Sequence, residues 1–164
     1  MIREILEKLP AQSYEEGQRL AGELIAGGPA TMKELIEEIG DEFGDPDGAK
    51  PKMALHAMVL HATRPGAKSE RQMVAAALAA ELDGEHSDEL KAFLCRQLQF
   101  CAHCDEVPAL AGLLTSDRLC EPATQVLLAI KSEAALNAIQ KALPEAEGKR
   151  RVTLQQAADI LSGK

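Results

Sequence analysis

Cys101-Ala102-His103-Cys104 puts two thiols and an imidazole within four residues. Such a pair is half of a zinc site, or the working pair of a disulfide exchanger. Structural zinc wants four ligands, usually as two close pairs. The other two cysteines, Cys95 and Cys120, stand apart from this pair and from each other. A redox pair of the thioredoxin kind wants a βαβ frame, which this chain lacks. Haem attachment needs a histidine after the second cysteine, and Asp105 stands there. Cys101 and Cys120 fall on apolar helix faces and read as small buried hydrophobes. A zinc site on Cys95, Cys101, Cys104 and Cys120 remains the alternative reading of the set.

Other residues with chemical potential are scattered. His56 and His61 are five apart, so they do not share a helix face as the two histidines of HExxH do. His61 sits near a helix end and is expected to cap carbonyls. Asp45-Pro46-Asp47-Gly48 has part of a calcium loop. It lacks the first acid and the glutamate six residues past the glycine, so a solvated turn is expected. No phosphate-cradling GxGxxG or GxxxxGK[ST] occurs, and no GxSxG. No catalytic residue, metal or cofactor is assigned.

The elements that would hold these residues read as short helices. In Cys120–Ile130 the apolar positions are Ala123, Val126, Leu127 and Ile130, spaced i, i+3, i+4, i+7. A shift of 31 residues puts Leu154, Ala157, Ala158 and Leu161 in the same slots, and a shift of −29 puts Leu94, Gln97, Leu98 and Cys101 there. A shift of −68 gives Leu55, Met58, Val59 and Ala62, which leaves Gln97 as the one polar misfit. Val107–Leu114 and Ala135–Leu143 supply partner helices, broken by Ser116-Asp117 and Pro144. A helix pair of this kind cannot bury its apolar face alone, so neighbours must stack.

Boundaries follow from local chemistry. Ile2–Leu9 is a short helix ended by Pro10. Ser13 and Glu16 form a capping box for a helix running to Ala26, where Gly27-Gly28 stop it. Pro29 opens a helix that ends at Gly40. Asp41–Lys50 is the longest irregular connection and carries an isolated Phe43. Pro51 opens the most apolar helix, Lys52–Thr63. The N-terminal helices are expected to cover its second side; otherwise Met53, Ala57 and Leu60 form a sticky patch. Arg64-Pro65-Gly66 is a turn, Ser69 and Gln72 read as another capping box, and Ser87, Ser116 and Ser132 as later caps.

The chain of 164 residues is long enough to bury a core as one domain, residues 1–164. Residues 1–28 are expected as N-terminal capping helices and 29–164 as about four helix pairs. Hydrophobics make up 46%, which excludes disorder, and aromatics only 2%, so the core must be aliphatic. A net charge of −8 disfavours general binding to a phosphate backbone. Lys149-Arg150-Arg151, the densest basic run, reads as a solvated helix start. There is no secretory pattern and no run of apolar residues long enough to span a membrane. A cytoplasmic location is the expectation.

Over roughly Ser87–Leu161 the chain resembles the HEAT-like repeat family. Pro108 in a first helix, Leu113-Leu114, Asp117 in the turn and the small-residue-rich Ala123–Ile130 carry the resemblance. RPGAKSERQ, LCRQLQF and LCEPATQVLLAI look like stretches of bacterial HEAT-like proteins, many of unassigned function. The resemblance implies an all-α fold, a right-handed α–α superhelix of about ten short antiparallel helices. HEAT-like hydroxylases bind metal through His-Glu dipeptides, and no histidine here precedes a glutamate. HEAT-like DNA glycosylases need a basic groove with aromatic side chains, and this acidic chain has no Trp and one Tyr.

In such stacks the second helix of each pair lines the concave side. Opposite the core slots the helical wheel places Glu89, Arg96 and Gln99, then Arg118, Glu121, Gln125 and an exposed Leu128, then Gln156 and Asp159. This mixed strip suits an unidentified protein or peptide partner better than nucleic acid. The expected function is a non-enzymatic interaction or scaffold module. The alternatives are a spacer domain within a larger enzyme and the zinc-binding reading of the cysteines.

Overall fold

The computed structural model describes all 164 residues, which form ten α-helices and no strand. They are α1 (Ile2–Glu7), α2 (Tyr14–Ala26), α3 (Gly28–Ile39), α4 (Ala49–Ala62) and α5 (Lys68–Ala80). Then follow α6 (Asp88–Cys101), α7 (Val107–Ala111), α8 (Cys120–Ile130), α9 (Glu133–Ala142) and α10 (Gly148–Leu161).

The principal contacts are local in the helix order. Helices pair as α3 with α4, α5 with α6, α7 with α8, and α9 with α10. Each also packs on the helix two positions away, so α2, α4, α6, α8 and α10 form one row, and α1, α3, α5, α7 and α9 another. The repeated apolar slots explain this. Leu55, Met58, Val59 and Ala62 are buried, as are Leu94, Leu98, Cys101, Ala123, Val126, Leu127, Leu154, Ala157 and Ala158. One core cluster of 41 residues runs from Ile2 to Ala158. Alanine at many of these slots lets adjacent backbones approach closely.

Gln97 occupies its apolar slot as a buried residue, and its Oε1 accepts a 2.7 Å hydrogen bond from His56 Nδ1. A buried amide is tolerated only with such a partner.

Several boundaries differ from expectation. The α4 helix begins at Ala49 rather than Lys52, because a 3-10 turn at Pro46–Gly48 leads directly into it. That turn shortens the expected Asp41–Lys50 loop. A Cβ on Gly48 would lie 2.9 Å from the Ile39 carbonyl oxygen, so the turn seats against the end of α3 only with glycine there. Phe43 is not isolated: it stacks on Phe93, with centroids 5.5 Å apart, and Lys52 Nζ lies 3.8 Å above its ring. The α7 helix stops at Ala111 and continues only as turns to Leu114, while α6 ends at Cys101, short of His103.

The caps also sort themselves. Ser13, Ser87 and Ser132 accept from Glu16, Leu90 and Ala135 N–H groups, and Ser116 accepts from Leu119. The Ser13 box is not reciprocal, since the Glu16 carboxylate takes the Gln12 N–H instead. The Ser69 box does not form. The Arg64–Gly66 turn closes early, Ala67 becomes the N-cap and Ser69 falls inside the first turn of α5.

Candidate functional site

The row α2, α4, α6, α8, α10 exposes one side of each helix, and side chains bridge every neighbouring pair along it. Between α2 and α4, Gln18 Oε1 meets His61 Nδ1 at 2.7 Å. Between α4 and α6, His56 bonds Gln97 and stands edge-on to Phe100, centroids 5.6 Å apart. Glu89 of α6 pairs with Arg118, just ahead of α8, at 3.7 Å. Glu121 of α8 pairs with Lys149 of α10 at 3.1 Å.

Both histidines lie on α4 and reach to opposite sides. With the amide oxygen facing each ring, Nδ1–H is the donor. His61 therefore satisfies a side chain of α2 and not the carbonyls at the end of its own helix, correcting the expected capping role. Its pKa is lowered from 6.5, first by burial and then by the nearby Arg64, with Glu70 opposing. Arg64 is committed to Glu70 through both terminal guanidinium nitrogens.

The residues expected on the strip differ in exposure. Glu89, Arg96, Gln99, Arg118, Glu121, Gln125 and Gln156 are exposed, and Asp159 is half-buried. Arg96 has no carboxylate partner, whereas Glu89, Arg118 and Glu121 are engaged in the bridges above. Leu128 is not the exposed leucine expected; it is half-buried and packs on the core cluster. Exposed apolar side chains on this row are instead Met53 and Leu60 of α4, each 45% exposed, Phe100 of α6, 48% exposed, and, towards its ends, Tyr14 of α2 and Val152 and Ile160 of α10. The expected cover of α4 is partial. The helices α2 and α3 pack on it, yet Met53 and Leu60 stay open with half-buried Ala57 between them. Phe100 gave no signal in the repeat pattern; its place one turn beyond Arg96 was the available clue.

The basic run is not wholly solvated. Arg150 is mostly buried and donates from Nε to Asp117 at 2.8 Å, while Lys149 and Arg151 are exposed. Asp117, Arg118, Glu121, Lys149 and Arg150 line a cleft of about 230 Å³ in which each cation faces an acid.

The cysteines do not converge. Cys95, Cys101 and Cys120 are buried, Cys104 is exposed and all four are free. No group of three or more His, Cys, Asp or Glu side chains has the geometry to hold a metal. Burial pushes the Cys95 and Cys101 thiols up to about 12, which keeps them protonated and poorly nucleophilic. No helix is long and apolar enough to cross a membrane.

No protein-family model matches the chain, and neither does any curated protein or solved structure.

Proposed function

We propose that this chain is a non-enzymatic protein-interaction module, a HEAT-like right-handed superhelix whose second-helix row docks a segment of a protein partner. The observation that carries the reading is that Met53 and Leu60 of α4 and Phe100 of α6 are half-exposed on helices that pack together, with Phe100 edge-on to His56 of α4 and one turn beyond Arg96, which has no carboxylate partner. Large apolar side chains left open beside an arginine, within a polar surround, have the composition of an interface centre. The side-chain bridges from α2 to α10 support the reading further. They hold the row in one geometry before a partner arrives, which lowers the ordering cost of binding. The partner's segment would offer apolar side chains to Met53, Leu60 and Phe100, with a carboxylate opposite Arg96.

Nucleic acid fits this face poorly. Arg118 and Lys149 already face carboxylates, and the chain carries a net charge of −8.

The test is quantitative affinity capture from native lysate with three baits. These are wild type, Met53→Ser/Leu60→Ser/Phe100→Ser, and a control, Asn137→Ser/Gln140→Ser, altered at exposed positions of α9. A protein retained by wild type and control, and lost by the triple variant and by Arg96→Glu, is the expected result. Equal capture by all baits, or by none, removes the reading.

A further inference from the structure

A cleft of about 370 Å³ lies where the α4–α5 turn meets the C-terminal end of α6. It is lined by Thr63, Arg64, Gly66, Lys68, Arg71 and His103, among others, and by no carboxylate. That is contrary to the composition of the chain, which has 26 acids against 18 lysines and arginines. Most other charged clefts set acids among their cations; one on α10 holds a single cation, Arg151, beside Val152, Gln155 and Gln156. The one between the starts of α8 and α10 sets Asp117 and Glu121 against its cations. The one beside α1 sets Glu7, Glu38 and Asp47 against Arg3 and Lys50.

The cations of the α4–α5 cleft are not equivalent. Arg64 is held by Glu70, so its charge is largely answered. Arg71 is half-buried and donates one N–H, from Nε, to the Cys101 carbonyl at 3.1 Å. That bond fixes the guanidinium plane and leaves the donors of both terminal nitrogens without a protein acceptor. Lys68 is exposed and has no ion-pair partner. The Thr63 hydroxyl donates to the Leu60 carbonyl, so its proton is committed and it adds no donor to the cleft. The first N–H groups of α5 have no side-chain cap and add donors to a cleft that its cations already define.

We propose that this cleft binds a phosphate group, with the terminal nitrogens of Arg71 and the Lys68 ammonium as its main donors. A planar guanidinium held by its Nε, with its outer edge free, presents two parallel N–H groups to two oxygens of one oxyanion. Lys68 adds a mobile point charge from the other side. A dianionic phosphate gains from both, and a neutral ligand from neither. The site is separate from the docking face and does not depend on it.

The test is a titration of the full chain with inorganic phosphate at low ionic strength, followed by amide and arginine Nε–H NMR signals. Matched sodium chloride serves as control. The expected result is a saturable shift centred on Gly66, Ala67, Lys68 and Arg71. In Lys68→Gln/Arg71→Gln the apparent affinity should fall at least about tenfold. Lys149→Gln, in the self-neutralised cleft, should leave it unchanged. Because Arg71 also bonds the end of α6, Lys68→Gln alone, an exposed change, carries the test should the double variant lose helicity. A parallel titration with phenyl phosphate identifies the source. Tighter binding than inorganic phosphate means a phosphate ester, and equal binding means the free ion; both outcomes keep the site. Absence of a saturable shift, or shifts spread over Arg96 and Lys149 and indifferent to Lys68→Gln, overturns it.

Discussion

Single residues show where pattern ends and geometry begins. Gln97 looks like an error in the repeat until His56 is found 2.7 Å from its Oε1. The sequence contains both residues, but their meeting depends on the relative rotation of α4 and α6, which no periodicity encodes. His61 makes the matching contact with Gln18 and has a testable consequence. Its folded pKa is lowered from 6.5, so the native state holds fewer protons than the unfolded chain as the pH falls past that value. The stability this group contributes is therefore fully present above pH 6.5 and is lost as the pH falls through the folded pKa. Two measurements check this. The His61 ring signals should titrate with a midpoint below 6.5, and His61→Gln should lose less stability than wild type on acidification below that pH. A midpoint at or above the ordinary imidazole value would contradict the burial argument.

Elements were more legible than their ends. Ser13, Ser87 and Ser132 are readable as caps because each stands before an apolar-periodic run and after a break, whereas Ser116 bonds the Leu119 N–H in the turn ahead of α8, whose own N-cap is Leu119. Ser69 has the same signature, with Gln72 in the glutamine position of a capping box, yet it caps nothing. The difference lies upstream. The Arg64-Pro65-Gly66 turn makes Ala67 the N-cap, so the helix starts at Lys68, before the serine can serve it. The contrast gives a paired prediction. Ser132→Ala should destabilise the protein by about 1 kcal/mol, the usual cost of losing an N-cap acceptor. Ser69→Ala should change stability by no more than a few tenths, in the favourable direction, since alanine is the better former inside a helix. Urea denaturation of both variants at neutral pH decides it, and equal losses would restore the cap at Ser69. The wheel alone predicts exposure for Arg96, Gln99 and Gln125, and all three are exposed. Leu128 is not, because the neighbouring elements pack around it and half-bury a side chain that an isolated helix would expose.

At the scale of the molecule, the two-row arrangement makes stability a matter of neighbours. The principal contacts of α6 are with α4, α5 and α8, and none of them is with α1 or α10. A stack built this way should respond to damage locally and in proportion to distance along the rows, unlike a globule with one shared centre. Leu94 is fully buried in α6, at the middle of the even row. Leu94→Ala should cost about 2–5 kcal/mol, the range for truncating a buried leucine. Amide hydrogen exchange can then show where the loss is felt. The nearest-neighbour picture expects protection to fall most in α4, α5, α6 and α8, and least in α1 and α10. A uniform fall across all ten helices would mean that the chain opens only as one unit, and the nearest-neighbour picture would lose its energetic basis. A fall confined to α6 would mean that the rows are not coupled at all. Only the graded pattern is what four repeats of the same apolar slots, each burying its neighbour's face, require.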